Sequence, residues 1–159
     1  MKIRVYNQAG QLTGPIDAEP VVKTDAEWNA QLSPAEFQVA RGKGTERPFC
    51  GNLLDNKKAG VYACICCKLP LFASTGKFNS GTGWPSFFQA VADQNVKAHQ
   101  DQTYGMIRDE ILCARCDCHL GHVFEDGPAP TGLRYCVNSA SLFFVGEEAL
   151  GSLADPLAG

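Results

Sequence analysis

The sequence GVYACICCKLPLF, residues 60–72, holds the feature on which the architecture of this 159-residue chain depends. An apolar run leads into a Cys-x-x-Cys pair, Cys64 and Cys67, and a second pair follows at Cys113 and Cys116 after 45 intervening residues. Each pair has the spacing that lets both sulfurs point at one metal ion. The doubled pair predicts a tetrahedral site of four thiolates, and a structural role without redox chemistry favours one Zn²⁺ per chain.

The predicted metal site is also favourable energetically. A structural zinc ion binds such a peptide site with an apparent ~10 to 16 kcal/mol, which becomes folding free energy. Closing the segment between the two pairs costs roughly 3 kcal/mol of chain entropy. Metal binding therefore stabilises the fold by far more than closing the loop costs.

Two other interpretations of the cysteines compete with a metal site. A lone Cys-x-x-Cys at the start of a helix is typical of a thioredoxin-type redox dithiol, but these two pairs flank β-type sequence. Eight cysteines would also suit disulfides in a secreted protein, but Met1 to Glu19 lacks the apolar core of a signal peptide. Cys66 and Cys118 complicate the choice of ligands. The symmetric spacing favours as ligands Cys64, Cys67, Cys113 and Cys116.

The rest of the chain divides into a short helical part and a β part. Capping boxes at Thr24/Glu27 and Ser33/Glu36 predict two short helices. Runs rich in Val, Ile, Tyr and Phe then predict antiparallel strands at Val61–Ala63, Met106–Cys113, Val123–Phe124 and Arg134–Val145. We expect an N-terminal extension over residues 1–20, at most a short strand, one domain over 21–150, and a loose tail over 151–159.

Composition excludes several classes of partner. The net charge is −3, and the chain has no run of Lys or Arg that would bind a phosphate backbone or an anionic membrane surface. No apolar stretch approaches the roughly 20 residues of a membrane span. We therefore expect a cytoplasmic monomer that binds neither nucleic acid nor membrane.

Cys136 is the candidate nucleophile among the remaining thiols, which are Cys50, Cys66, Cys118 and Cys136. Arg134 and Asn138 lie two residues to either side, so the three side chains share one face of a strand. A guanidinium lowers the pKa of a nearby thiol, and an amide can donate to an oxygen held beside it. An inert, buried cysteine is the competing interpretation.

Two further segments supply groups suited to an active site. His119 and His122 follow the second cysteine pair, where they could support the metal or donate a proton to a departing oxygen. In Ser80-Gly-Thr-Gly-Trp84-Pro-Ser-Phe87 the glycines permit a sharp loop. Trp84 could then present its ring to a small sulfur-bearing group, or pack in the core.

Taken together, these motifs resemble the B-type methionine sulfoxide reductases, which act on the R epimer of the sulfoxide. The matching stretches span about Val21 to Val145. They are GTERPFCGN, GVYACICCKLPLF, KFNSGTGWPSF, CARCDCHLGHVFEDGP and RYCVNSASLFF.

The resemblance implies a β-rich fold of two antiparallel sheets with a few peripheral helices. It makes Cys136 the cysteine that attacks the sulfoxide and the two cysteine pairs the zinc ligands. It makes Trp84 the aromatic residue whose ring receives the methyl group of the substrate. The positions that it places around the oxygen and the thiolate are His119, His122, Arg134, Asn138 and, alongside them, Asp126.

One departure from the family pattern concerns regeneration of the enzyme. Many relatives carry a resolving cysteine between the two glycines before the tryptophan, and here that residue is Thr82. Cys50 lies where other relatives place an alternative resolving thiol, which makes it our candidate. The alternatives are direct reduction of Cys136 by thioredoxin and resolution by Cys118 or Cys66.

The resemblance thus predicts an oxidoreductase that repairs oxidised proteins under oxidative stress, with a thioredoxin-like reductant. Two rivals come from other classes. A zinc-ribbon interaction module would leave Cys136 inert in its core. A zinc hydrolase needs an open coordination position, which four cysteines close.

Overall fold

Antiparallel strands form the body of the chain, and the computed structural model describes residues 1–102, 105 and 107–158. The two helices are α1 (Asp25–Gln31) and α2 (Pro34–Ala40). The strands are β1 (Lys2–Tyr6), β2 (Leu12–Asp17), β3 (Gly60–Cys64), β4 (Pro70–Ala73), β5 (Lys77–Phe78), β6 (Ser86–Phe87), β7 (Val96–Asp101), β8 (Arg108–Cys113), β9 (His119–Phe124), β10 (Arg134–Val137) and β11 (Leu142–Gly146).

These strands form three antiparallel sheets within the described ranges. The largest has the order β5-β6-β10-β9-β8-β7, the second has the order β11-β3-β4, and the third is the β1-β2 hairpin. The first two confirm the mainly β fold of two sheets that we predicted, and the hairpin lies outside the stretch that carried the resemblance.

Both predicted helices are present, and each begins at its capping box. Thr24 accepts a hydrogen bond from the backbone N–H of Glu27, and Ser33 does the same for Glu36. In return, each glutamate accepts a hydrogen bond from the backbone N–H of its cap. The two boxes therefore fix where the helices start.

One predicted strand run is divided in the structure. Residues 134–145 form β10 and β11 with a 3-10 helix, Ser139–Ser141, between them. The chain crosses from the largest sheet to the three-stranded sheet at this point. Small hydroxyl residues suit the crossing, because buried Ser141 donates a hydrogen bond from its side chain to the backbone oxygen of His119, 2.7 Å away. The run predicted from Met106 corresponds to β8, which begins at Arg108, and Met106 itself lies outside the described residues.

The first twenty residues are more ordered than the sequence indicated. Ile3 and Val5 are buried, and the fully buried Asn95 joins the hairpin to the main body. Its side-chain oxygen accepts from the N–H of Arg4, and its amide donates to the backbone oxygens of Arg4 and Pro70, at 2.7–2.9 Å. Alternating apolar residues and one distant asparagine thus make a docked hairpin where a single short strand was expected.

The carboxyl end likewise has regular structure in place of the loose tail we expected. Its 3-10 helices are Glu147–Leu153 and Pro156–Ala158. Leu153 is buried, and Asp155 forms an ion pair with Arg115 at 2.7 Å. No helix in the described ranges is long and apolar enough to cross a membrane.

Aromatic packing joins the two larger sheets. The rings of Phe72 on β4 and Phe87 on β6 stack with centroids 4.5 Å apart. Tyr62 on β3 meets Phe87 edge-on at 5.1 Å. All three side chains are fully buried, so this contact fixes how the sheets lie together.

Candidate functional site

The two cysteine pairs meet between the sheets. The sulfurs of Cys64, Cys67, Cys113 and Cys116 all lie within 4.8 Å of one another. Across the pairs, the Sγ atoms of Cys64 and Cys116 are 3.6 Å apart, and those of Cys67 and Cys113 are 3.5 Å apart. Zinc–sulfur bonds of about 2.3 Å in a tetrahedron place the sulfurs about 3.8 Å apart. The predicted set can therefore hold one metal ion.

Each pair is held by the same tight turn. The N–H of Lys68 donates to the backbone oxygen of Cys64, and the N–H of Asp117 donates to that of Cys113. Lys68 and Asp117 both have left-handed backbone angles, with φ of 64° and 62°. The two turns are structurally equivalent, so the symmetric spacing in the sequence corresponds to symmetric geometry.

Electrostatics differ among the four thiols of this cluster. The Arg41 guanidinium donates to the backbone oxygen of Cys116 at 2.8 Å and lies 3.8 Å from its sulfur. Hydrogen bonds from neighbouring thiols, chiefly Cys113, lower the pKa of Cys116 to about 4. Burial raises the pKa of the Cys64 and Cys113 thiols. A bound cation would stabilise all four as thiolates.

A separate cleft of about 240 Å³ lies on the largest sheet, and Cys136 is in its wall. The predicted residues that line this cleft are Trp84, His122, Arg134, Cys136 and Asn138. Residues that we had not predicted also line it, among them Thr45, Thr82, Arg108 and Phe124. The structure thus brings five of the seven predicted active-site residues into one cleft.

Strand pairing positions the candidate nucleophile. Cys136 on β10 lies opposite His122 on β9 and Ser86 on β6. Its side chain is partly exposed, and its sulfur lies 4.0 Å from the Thr82 hydroxyl. Burial raises the pKa of the Cys136 thiol above its ordinary value, although Thr82 and Arg134 lower it. The net direction is opposite to the one we expected from Arg134 alone, because desolvation is the largest cause.

Arg134 is oriented by two neighbours. Its guanidinium lies 4.3 Å from the centre of the Phe124 ring and donates two hydrogen bonds to the Asp126 carboxylate, at 2.9 and 3.2 Å. Asp126 is exposed and does not line the cleft. Asp126 therefore influences the cleft indirectly, through its hydrogen bonds with Arg134.

The two predicted histidines have different surroundings. His122 lies in the cleft wall, with Nε2 3.1 Å from a carboxylate oxygen of Asp101, which also pairs with Arg108 at 3.6 Å. His119 is buried outside the cleft lining, with Nδ1 2.6 Å from Glu110. Burial lowers the pKa of His119, so its neutral form is favoured. The geometry places His122, and not His119, in the cleft wall opposite Cys136.

Glu46 supports two cleft residues, and no pattern in the sequence singled it out, although it lies in the stretch GTERPFCGN. Its backbone oxygen accepts from the Trp84 indole N–H at 3.0 Å, and its N–H donates to the side-chain oxygen of Asn138 at 3.0 Å. One of its carboxylate oxygens accepts from the N–H of Ala140. Glu46 therefore ties the indole to the end of β10. Arg108, which lines the cleft, was likewise not singled out by any pattern in the sequence.

Cys50 lies outside the cleft lining, on an exposed turn. The N–H of the preceding residue, Phe49, donates to the backbone oxygen of Gly83 at 2.7 Å. The Cys50 turn is thus anchored to the loop that carries Trp84.

Fold and site together define a β domain with a four-cysteine cluster that can hold a metal ion and a partly exposed thiol in a separate cleft. The SelR domain family matches residues 32–146. Relatives called peptide methionine sulfoxide reductase MsrB include those of Herminiimonas arsenicoxydans and Hahella chejuensis. The first is 59% identical over 79% of this chain and 92% of its own length, and the second is 56% identical over 79% and 91%. A Pseudomonas putida relative of the same name is 56% identical over 79% of this chain and 95% of its own length.

The chain therefore belongs to the SelR family of B-type methionine sulfoxide reductases. This membership confirms the resemblance and makes the chain an oxidoreductase. It removes the two rivals, a zinc-ribbon interaction module and a zinc hydrolase.

Proposed function

We propose that this reductase returns methionine-R-sulfoxide residues of oxidised proteins to methionine, with Cys136 as the nucleophile. The single observation that carries the assignment is that the Cys136 sulfur shares one cleft with the Trp84 indole. A partly exposed thiol beside an aromatic wall suits a substrate that is a small, methyl-bearing sulfur group.

The reaction needs one thiolate and one proton. The Cys136 thiolate attacks the electrophilic sulfur of the sulfoxide while a proton reaches the sulfoxide oxygen. The oxygen then moves to the Cys136 sulfur as the transient sulfur–sulfur bond and the original sulfur–oxygen bond both break, so methionine leaves and Cys136 becomes a sulfenic acid. The sulfoxide is reduced by two electrons and the cysteine sulfur is oxidised by two.

His122 is the proton donor in this proposal. It lines the cleft directly opposite Cys136, whereas His119 is buried behind it against Glu110. Its contact with Asp101 orients the imidazole. His119 then acts by supporting the sheet next to His122, since the two ring centres are 5.8 Å apart.

The other cleft residues position the reacting groups. Trp84 and Phe124 offer apolar faces to the methyl group, and Arg134 stabilises negative charge on the Cys136 sulfur. Both polar ends of the Asn138 side chain are already bonded, to the N–H of Glu46 and the backbone oxygen of Leu120. Asn138 is therefore a positioning residue for the end of β10, and Asp126 has the same role for Arg134.

Zinc is the metal that we assign to the four cysteines, with a purely structural role. Four sulfur ligands leave no open position for substrate, and the separate cleft holds the reacting thiol. We assign one ion per chain.

The sulfenic acid must then be reduced. Thr82 occupies the loop position where many relatives have a resolving cysteine, and Cys50 is the exposed thiol on the neighbouring turn. We assign the resolving role to Cys50, and a thioredoxin-like dithiol protein reduces the resulting disulfide by exchange.

Residues 21–150 form the catalytic domain in this proposal. The setting is repair of oxidised proteins under oxidative stress, by a cytoplasmic monomer.

A coupled assay on separated epimers tests the proposal. Peptides that carry either the R or the S sulfoxide of methionine are incubated with the enzyme, a thioredoxin system and its electron source. We expect methionine to form from the R peptide alone. Turnover of the S peptide at a comparable rate, or of neither peptide, would contradict the proposal.

A further inference from the structure

Two buried thiols next to the metal centre have no role in the reaction described above. Cys66 is 5% exposed and Cys118 is 0% exposed. Their sulfurs and that of Cys64 all lie within 4.8 Å of one another. Cys64 thus belongs both to the four-sulfur set and to a second set of three, Cys64, Cys66 and Cys118, which we call the three-thiol set.

The fold itself does not require these two thiols. Cys118 occupies the position in the second turn that Leu69 occupies in the first, because the N–H of Cys113 donates to Cys118 as that of Cys64 donates to Leu69. A buried apolar side chain therefore suffices there. Cys66 likewise corresponds to Arg115, which lies one residue before the last cysteine of its own pair.

The geometry of the three-thiol set matches a particular class of ion. Three thiolates around one metal, with metal–sulfur bonds of about 2.3 Å, give sulfur–sulfur distances of about 4 Å in a trigonal arrangement. Zinc completes four-coordinate shells, whereas soft thiolate donors also select copper(I). Three converging buried sulfurs with no fourth donor in the set favour the ion that accepts three-coordination.

We propose that Cys64, Cys66 and Cys118 form a second metal site, which binds copper(I) while the four-cysteine site keeps its own ion. The Cys64 thiolate bridges the two metals. Copper(I) enters by ligand exchange from a soluble thiol complex, and the Cys66 and Cys118 thiols release their protons as they bind. No electron is transferred in this step.

A cation beside the three-thiol set supports the proposal. Arg41 lies over the Trp28 ring at 4.6 Å, and its guanidinium interacts favourably with Cys66, Cys116 and Cys118. The charge of one arginine is therefore shared between the two sets of sulfurs. This guanidinium is partly buried, so it can stabilise a metal–thiolate cluster that carries more negative charge than its ions neutralise.

Native mass spectrometry on the zinc-loaded protein tests this directly. The protein is titrated with copper(I) under anaerobic conditions, with a chromogenic copper(I) chelator as competitor. We expect a species with one zinc and one copper ion per chain. Cys118→Ala should keep zinc and weaken copper binding more than about tenfold, because one of three ligands is lost.

Controls separate this site from the other thiols. Cys66→Ala provides a second variant, and zinc content with the circular dichroism spectrum shows whether each variant is folded. Cys50→Ala and Cys136→Ser remove the exposed thiol and the cleft thiol, and both should bind copper as the parent does. For the parent protein, the proposal is overturned if no copper binds or if copper binds only by displacing zinc. For the variants, it is overturned if folded Cys66→Ala and Cys118→Ala bind copper as the parent does, or if Cys136→Ser abolishes copper binding.

Discussion

Cys136 is subject to opposing influences, and their balance predicts how its reactivity depends on pH. Burial raises the pKa of its thiol above the ordinary value, while Thr82 and Arg134 lower it. Because the thiolate is the nucleophile, alkylation of Cys136 should accelerate steadily as the pH rises from about 7 towards the thiol pKa. Arg134→Gln should slow alkylation at neutral pH by up to about tenfold, the effect of one pKa unit.

Iodoacetamide labelling followed by mass spectrometry of the Cys136 peptide measures that dependence. Arg4→Gln serves as a control, since Arg4 is a guanidinium that hydrogen-bonds Gly14 on the hairpin. A rate that is already independent of pH at neutrality would show that the thiol is ionised there, against the direction given by burial.

Replacing Cys136 by serine tests the nucleophile itself. A serine hydroxyl cannot accept the sulfoxide oxygen as a sulfenic acid, so turnover of the R peptide should fall by about a thousandfold or more. The side chain is partly exposed and is not a metal ligand, so thermal unfolding and zinc content should not change. Residual activity near that of the parent would mean that another thiol does the chemistry.

The resolving role of Cys50 is tested in a single turnover. With no reductant present, the parent enzyme should convert one equivalent of sulfoxide and form one intramolecular disulfide that includes Cys50. Cys50→Ala should still yield one equivalent of methionine but leave Cys136 as a sulfenic acid, which dimedone traps. A disulfide in Cys50→Ala would assign resolution to another cysteine, with Cys66→Ala and Cys118→Ala as the next variants.

Spacing along the chain predicted much of the candidate site. Arg134 and Cys136 alternate on β10, Asn138 follows its end, and the two cysteine pairs repeat one interval, so both patterns were visible in the sequence. The pKa direction at Cys136 was not, because burial depends on the loops that cover the strand. Asp101 and Arg108 were missed because they meet His122 and the cleft only after β7, β8 and β9 pair.

Pairing between β9 and β10 holds the reacting groups in register, and one glycine permits it. Gly121 lies opposite Val137, and a Cβ at Gly121 would come within 1.9 Å of the backbone oxygen of Cys136. Gly121→Ala should therefore push the strands apart, lower the free energy of unfolding by about 1–3 kcal/mol, and reduce turnover. Chemical denaturation and the R-peptide assay measure the two effects.

Gly76→Ala is the matched control, because a Cβ there meets nothing closer than 3.5 Å. It should keep full turnover. If Gly121→Ala were equally harmless, the close approach of the strands would not matter to the site.

Elements with local signals were predictable, and those set by distant contacts were not. The capping boxes marked the starts of α1 and α2, since all their hydrogen bonds lie within four residues. The crossing at Ser139–Ser141 and the docked hairpin depend on His119 and Asn95, which lie far away in the sequence. Periodicity alone could not place them.

Across the whole molecule, the four-cysteine cluster joins the two larger sheets, in addition to the aromatic packing between them. Cys64 ends β3 in the three-stranded sheet, and Cys113 ends β8 in the largest sheet. The ligand turns also carry Arg115, whose contacts to Asp155 and to the backbone oxygen of Cys67 join the carboxyl end to the first turn. A metal ion bound here would therefore hold the two turns, and with them the two sheets, together.

Metal removal should consequently unfold the domain. A structural zinc ion contributes an apparent ~10 to 16 kcal/mol, while whole domains are stable by only about 5–15 kcal/mol. Without it, thiolates at Cys67 and Cys116 would repel each other between the sheets. We expect chelation, or Cys113→Ser, to abolish cooperative thermal unfolding and the near-ultraviolet circular dichroism signal, whereas Cys50→Ser keeps both.

Activity should disappear together with the fold. Cys136→Ser differs, because there the fold remains and only the chemistry is lost. A metal-free protein that still unfolds cooperatively near the parent temperature would mean that the aromatic contact of Phe72 with Phe87 suffices to join the sheets.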